Sequence, residues 1–273
     1  VAPPAHNPST SIEHSIRICR PPEGMFIPTG FTVIRADSLG GLYPRHNAFT
    51  DINRDGRVVG ITQVQVGTEL FARGTIWNDS PTLLPTIGES SRPCALSDSG
   101  IIVGKFSLPN ARYESAVKWE DGKAIHLPTL KGYDSIYVED VNNSGIVVGH
   151  VAVDFFERGR AVAFIKERWI DLGGLEDKSS IANSINTLGQ IVGFSVVASP
   201  DKNANRKFVN DSRGVLWHPK STPMPDNVRP SKSIQDYVLI DLGTLGGLDS
   251  NANDINDKGQ IVGDSKDSNG LER

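Results

Sequence analysis

A ten-residue pattern recurs five times along the chain, and it constrains the possible folds more than any other feature. In each copy a small or acidic residue and an aliphatic residue precede Asn or Ser. Two variable positions, Gly, one variable position, Ile or Val, Val and a final Gly then follow. The copies occupy residues 51–60, 95–104, 140–149, 184–193 and 254–263. Their first glycines are 44, 45, 44 and 70 residues apart, so a period of about 45 residues carries one insertion of about 26.

Each copy is typical of a tight turn between two β-strands. Asn and Ser bond to nearby backbone, Gly accepts the positive φ of such turns, and β-branched residues favour the returning strand. Two further strand signals separate the copies: an apolar segment that usually ends in Trp, and a segment containing Leu or Pro. They lie at 74–77, 116–119, 163–166 and 214–217, and at 83–87, 126–130, 170–175 and 240–245. Four short strands in about 45 residues are typical of a propeller blade.

The two ends of the chain carry parts of the same unit. After the last copy the chain contains no third or fourth strand signal. Before the first copy, residues 31–41 resemble the fourth strand at 237–247. Residues 15–20 are a candidate third strand. We therefore predict an all-β chain with a flexible lead-in at residues 1–13 and one domain at 14–273. That domain is expected to be a five-bladed β-propeller of four-stranded blades, closed by strands from both termini. The alternative is a longer chain interrupted within a blade.

The bulk composition excludes several classes of partner. The net charge is −4 and no strong basic field exists, so neither nucleic acid nor an anionic membrane surface is an expected partner. No apolar stretch approaches the roughly 18 residues of a membrane span. Cys19 and Cys94 lack metal-binding spacing and are predicted to lie in different blades as free thiols. The chain is expected to be a monomer.

The sequence contains no standard catalytic or cofactor motif. It has no G-x-S-x-G, H-E-x-x-H, Walker or G-x-G-x-x-G pattern, and its six histidines are scattered. Asp51, Asn53 and Asp55 resemble the first ligands of a calcium loop, but Thr62 stands where such a loop needs Glu. We therefore expect no catalytic residue, no cofactor and no metal, and we interpret these residues as turn formers.

One alternative keeps catalysis open. Asp51, Asp140 and Asp254 share one repeat position, so the symmetry of a propeller could bring them near one axis. Some five-bladed propellers are glycosidases that use acids in the central funnel. A secreted carbohydrate-active hydrolase is therefore the alternative function. Its mark would be several acids or a histidine converging in the funnel, whereas a scaffold would carry repeat-equivalent polar residues there.

The segments "DLGTLGG" at 241–247 and "SNANDINDKGQIVGDS" at 250–265, with an apolar Trp strand between copies, resemble the HAF repeat family. The resemblance covers most of residues 31–264. It is looser in the second copy, and the His-Ala-Phe signature is represented only by "AVAFI" at 161–165, without the His. It implies a β-propeller protein that is extracellular or at the surface of a bacterium. The family carries over no catalytic residues.

Features that only one blade possesses are better candidates for function than shared ones. The fourth period contains two polar insertions, at 196–214 and 218–236, which are expected to be surface loops. The residues proposed for binding are Lys202, Arg206, Lys207 and Arg229. We predict a non-catalytic secreted or surface module that recognises a protein or glycan through this basic patch.

Overall fold

The computed structural model describes residues 14–17, 31–34, 48–78, 80–153, 159–198, 211–224 and 228–273, in which β-strands joined by turns are the main elements. The predicted all-β class is confirmed, since a 3₁₀ turn at Leu175–Asp177 is the one helical segment in these ranges. No helix within them has the length and apolar character needed to cross a bilayer. The predicted lead-in lies outside the described residues, and so does Cys19, whereas Cys94 is a free thiol.

Three four-stranded antiparallel sheets follow one another along the chain. Sheet I contains β3 (Ala48–Ile52), β4 (Val58–Val66), β5 (Glu69–Trp77) and β6 (Pro81–Leu83). Sheet II contains β7 (Ser90–Leu96), β8 (Ile102–Ser107), β9 (Ser115–Glu120) and β10 (Lys123–Leu127). Sheet III contains β11 (Ser135–Val141), β12 (Val147–Ala152), β13 (Arg160–Ile165) and β14 (Arg168–Asp171). Each has the strand order that the repeat predicts.

Sheet IV has one strand more than the repeat predicts. It contains β15 (Ser180–Ile185), β16 (Ile191–Val197), β17 (Asp211–Pro219), β18 (Lys232–Ile234) and β19 (Tyr237–Asp241). β18 belongs to the second insertion and pairs antiparallel with β19 at the outer edge. The expectation of a loop throughout this insertion is therefore wrong, because Ile234 packs against the buried core and anchors the extra strand.

Sheet V has two strands within the described residues, β20 (Gly246–Ile255) and β21 (Ile261–Asp267). Residues 271–273 turn back beside β21, where Arg273 and Ser265 exchange backbone hydrogen bonds of 2.9 and 3.1 Å. Among the described residues, the N-terminal strand predicted to complete this sheet does not pair with it. β2 (Phe31–Ile34) pairs in parallel with β1 (His14–Arg17), which occupies one of its two edges.

The repeat copies form the turns that the sequence predicts. The first glycine of every copy has a φ between 74° and 91°, a conformation that side-chain-bearing residues rarely adopt. In four copies the Asn carboxamide oxygen accepts the backbone N–H four residues ahead, at 3.0 to 3.1 Å. At the last glycine a Cβ would lie 2.0 to 2.2 Å from a carbonyl oxygen of the preceding strand. This close contact between the last glycine and the preceding strand occurs beside a β-bulge in the first strand of each sheet.

Consecutive sheets are joined by the same apolar contact. The valine that precedes the last glycine of one copy packs with the aliphatic residue that precedes Asn or Ser in the next copy. The pairs are Val59 with Leu96, Val103 with Val141, Val148 with Ile185, and Val192 with Ile255. Burial of these paired residues supplies the hydrophobic stabilisation that holds neighbouring sheets together.

Tryptophans of sheets II, III and IV also link neighbouring sheets. Trp119 of sheet II donates its indole N–H to the Pro85 carbonyl that follows sheet I, at 2.7 Å. Trp217 of sheet IV donates to the Leu172 carbonyl that follows sheet III, at 2.8 Å. In sheet III this role belongs to Trp169 on β14, which donates to Pro128 at 2.6 Å. Trp169 lies on the fourth strand of its sheet, whereas the repeat predicts a tryptophan on the third.

Candidate functional site

The first strands of the five sheets lie side by side, and each of β3, β7, β11 and β15 contacts the first strand of the next sheet. The leading residues of the repeat copies are therefore brought to one central region. They are Asp51, Ala95, Asp140, Ser184 and Asp254. The three acids lie near one another, as their shared position predicts. Asp140 and Asp254 both contact Ser184, and burial raises the pKa of Asp140, an effect to which the negative charge of Asp51 adds. This inner ring is the candidate functional site.

Two of the carboxylates in the inner ring join neighbouring sheets. Asp51 accepts the backbone N–H groups of Ile52 and, from sheet II, of Leu96, both at 2.7 Å. Asp140 likewise accepts the backbone N–H of Val141 at 2.7 Å and, from sheet IV, that of Ile185 at 2.8 Å. Burial is the largest influence on Asp51 and raises its pKa, although these hydrogen bonds act in the opposite direction. Both acids are therefore already engaged as structural acceptors.

Ser184 connects the remaining members of the ring. Its hydroxyl oxygen lies 3.0 Å from Asp140 Oδ2 and 2.7 Å from Asp254 Oδ1. Burial raises the pKa of Asp140 to about 6, against the lowering effect of its hydrogen bonds to Ile185, Val141 and Ser184. The sequence gives a signal for this serine, because it occupies the Asp position of the repeat. Its contact with two acids depends on the packing of three sheets and could not be predicted.

A second set of polar links lies at the repeat turns. The carboxamide N–H of Asn53 donates to Ser97 O at 3.4 Å, that of Asn142 to Asn186 O at 3.1 Å, and that of Asn186 to Asn256 O at 3.1 Å. Each of these bonds connects one sheet to the next. The serine of the second copy replaces the carboxamide with a hydroxyl, which bonds within its own turn to the backbone of Ile101.

The mouth of the inner ring is a cavity of about 150 Å³, lined by turns of sheets II to V. Arg54 of sheet I reaches across it, 3.4 Å from Asp98 and 3.7 Å from Asp257. Asp257 also accepts the backbone and hydroxyl of Thr187, at 2.9 and 2.8 Å. Most polar groups at the mouth therefore contact one another, which leaves few for a small ligand.

The calcium-loop resemblance does not describe how Asp51, Asn53 and Asp55 are used. Asp51 is bound to two backbone amides, and Asn53 accepts the Arg57 N–H while donating to sheet II. Within the described ranges, no group of three or more His, Cys, Asp or Glu residues could hold a metal ion. The turn interpretation accounts for the Arg57 N–H bond to Asn53, whereas the bonds of Asp51 and Asn53 to sheet II hold neighbouring sheets together.

One polar cluster outside the ring was not singled out from the sequence. His150 stacks on Tyr137 with ring centroids 4.7 Å apart, and its Nδ1 lies 3.6 Å from Glu139. Burial lowers the pKa of His150 to about 4 and raises that of nearby Cys94 to about 11. The imidazole and the thiol are thus both uncharged at neutral pH, and a neutral thiol is a poor nucleophile.

The structure describes only part of the predicted basic patch. Lys202, Arg206 and Lys207 lie outside the described residues, and Arg229 is exposed. Two further basic residues of the second insertion have partners. Lys232 forms an ion pair with Asp177, and the Lys220 ammonium donates to the Gln235 carbonyl.

A second cavity, of about 270 Å³, lies beside sheet V. Its walls come from β20, β21, the segment after β19, Arg273 and Gly214 of β17 in sheet IV. Val262 on β21 is 63% exposed, whereas the equivalent valines of the other four copies are fully buried. The exposure of Val262 shows that sheet V lacks packing that the other four sheets have at this position.

Comparison with known proteins gives little further information. No family model matches the sequence, and no curated protein matches it. Among solved structures, the crystal structure of TolB from Acinetobacter baumannii is 12% identical, with a TM-score of 0.36. The alignment covers 63% of this chain and 40% of that chain, so the match spans less than half of TolB. This likeness is too weak to carry an argument about fold or function, and the architecture rests on the sheets described above.

Proposed function

We propose that this chain is a non-catalytic binding or scaffold module of a bacterial extracellular or cell-surface protein, and that it recognises a protein or glycan. The observation that carries the proposal is the use of the inner-ring carboxylates. Asp51 and Asp140 accept backbone N–H groups from the next sheet, as structural residues do. The extracellular location rests on the resemblance of the repeat to HAF repeats.

The ring is proposed to be a closed five-bladed propeller. Support comes from the contacts between first strands in chain order and from Arg54 of sheet I, 3.7 Å from Asp257 of sheet V. The segment 31–41 resembles the fourth strand at 237–247 and directly precedes sheet I, as β19 precedes sheet V. We propose that this segment completes sheet V and draws sheets V and I together, which would remove an exposed sheet edge.

The binding residues are proposed to be Lys202, Arg206, Lys207 and Arg229. The position of Arg229 on the surface of the second insertion supports this choice. Basic side chains on exposed loops attract acidic partners through charge interactions that salt weakens. The partner is therefore an acidic protein or an acidic glycan, bound with an affinity that falls as ionic strength rises.

The test is an array of acidic and neutral glycans probed with the purified chain. We expect salt-sensitive binding to acidic glycans, and a loss of at least tenfold when Lys202, Arg206 and Lys207 are changed to Gln. A matched variant with Gln at the exposed Lys123, Lys131 and Arg168, which removes the same number of charges elsewhere on the chain, controls for total charge. Equal binding by both variants would contradict the assignment of the patch.

The alternative, a carbohydrate-active hydrolase, is favoured by one observation. Asp140 and Asp254 contact the same hydroxyl, and the raised pKa of Asp140 suits a general acid. The same glycans are incubated with the wild-type chain and with Asp140→Asn. We expect no release of sugar products from either; release by the wild type alone would replace the binding proposal with the hydrolase.

A further inference from the structure

Ser184 has an unusual position between two carboxyl groups of the inner ring. It lies on β15 and is buried. Asp140 approaches its oxygen from β11 at 3.0 Å, and Asp254 approaches from β20 at 2.7 Å. One serine therefore connects sheets III, IV and V at a single point.

The number of protons decides what these contacts can be. A serine hydroxyl has one proton to donate, and an ionised carboxylate has none. When both acids are ionised, Ser184 can donate to only one of them, and the other contact brings two acceptor oxygens together. A proton on Asp140 Oδ2 would make both contacts hydrogen bonds, with Asp140 donating to Ser184 and Ser184 donating to Asp254.

Of Asp140, Ser184 and Asp254, Asp140 is the residue whose burial favours the protonated carboxyl group. It lies deeper than Asp254, which is exposed to solvent. Removing a carboxylate from water disfavours its charged form. The exposed Asp254 and the hydroxyl of Ser184 together offer a path along which a proton can exchange with solvent.

Among the residues that the structure describes, no cation acts on Asp140 to hold it ionised. Asp51 of β3 and Asp254 of β20 are acidic, and β15 carries no ionisable side chain. Apart from the exposed Arg92 of β7, the ionisable residues of β7, β8 and β12 lie around Glu139 instead: Cys94, Lys105 and His150. On β9, Lys118 forms an ion pair with Glu120, with the charged atoms 2.8 Å apart.

We propose that Asp140, Ser184 and Asp254 form a proton-sharing link that ties sheets III, IV and V together in mildly acidic solution and loosens at neutral pH. Because the pKa of Asp140 in the folded chain, about 6, is above its ordinary value of 3.8, the folded state binds more protons between these values. The stability from this link is therefore full at the acidic end and is lost as pH rises through about 6. Sheet V, which has two described strands, is the element most dependent on it.

The first measurement is a titration of the Asp carboxyl carbons by NMR in the wild-type chain. We expect one Asp resonance with a midpoint near pH 6, assigned to Asp140 by its disappearance in Asp140→Asn. The wild-type titration stands even if that variant fails to fold. A chain in which every Asp titrates below pH 5 would overturn the proposal.

The second measurement is hydrogen exchange, corrected for intrinsic rates, in β20 and β21 at pH 5 and pH 7.5. We expect protection relative to β11 and β12 to fall about tenfold at the higher pH. In Ser184→Ala the change should vanish while Asp140 still titrates. Asp98→Asn, which alters an acid at the mouth, should keep the change. Retention of the change in Ser184→Ala would overturn the link.

Discussion

The joint between sheets IV and V and the joint between sheets V and I are built from nearly the same residues but packed differently. Val192 is fully buried against Ile255, whereas its repeat equivalent Val262 is 63% exposed. Ile255 is 6% exposed, but Ile52, its equivalent in sheet I, is 48% exposed. The fourth and fifth copies share the run Gly-Gln-Ile-Val-Gly, so the local sequence does not cause the difference. Burial of a repeat residue depends on whether the next sheet is in place.

The largest expected effect lies in the packed region. Trp217 is fully buried between sheets III and IV, and its indole N–H bonds to Leu172 O. Replacing it with Ala leaves a large cavity and an unpaired carbonyl, so Trp217→Ala should lower the free energy of unfolding by about 3–5 kcal/mol. Urea denaturation followed by far-UV circular dichroism measures this. A loss below about 1 kcal/mol would mean that the packed joints do not dominate stability.

Deletion of residues 1–41 tests closure of the open joint. If segment 31–41 completes sheet V, its removal exposes apolar surface and a sheet edge, at a cost of roughly 3 kcal/mol. Thermal unfolding and light scattering of the full and shortened chains give the comparison. A control deletion of residues 1–11 should leave the melting temperature unchanged. The same melting temperature for the 1–41 deletion as for the full chain would contradict closure.

Sequence periodicity was sufficient for the features that every copy repeats. The Asn turns, the strand order and the linking tryptophans Trp119 and Trp217 follow from residue types at fixed spacing. Features that occur in a single sheet could not be predicted from periodicity. β18 depends on Ile234 reaching the core, and the bridge at Ser184 depends on three sheets meeting. Such contacts are non-local, and no periodic signal encodes them.

A pair of valine substitutions shows whether closure packs the joint between sheets V and I. Val192→Ala should cost about 2 kcal/mol in any chain, because the side chain is fully buried. If closure draws sheets V and I together, Val262→Ala should cost nearly as much in the full chain but less than about 0.5 kcal/mol in the chain lacking residues 1–41. Urea denaturation of the full chain and of the chain lacking residues 1–41, each unsubstituted and with either valine substitution, supplies the values. A small cost for Val262→Ala in both backgrounds would show that the joint stays open.

The smallest expected effect concerns the joint between sheets II and III, where Ser97 replaces the linking Asn. In the joints between sheets I and II, III and IV, and IV and V, an Asn carboxamide donates to the next turn, as Asn142 does to Asn186 O at 3.1 Å. Ser97→Asn should restore this bond to Asn142 O, and its oxygen can still accept the Ile101 N–H that Ser97 now accepts. Because one buried hydrogen bond contributes about 1 kcal/mol, the variant should gain about 0.5–1 kcal/mol. The reverse change, Asn142→Ser, is the matched control and should lose a similar amount. Destabilisation by both substitutions would mean that the second copy has adapted its packing to serine, so that the joints are not interchangeable even where all are closed.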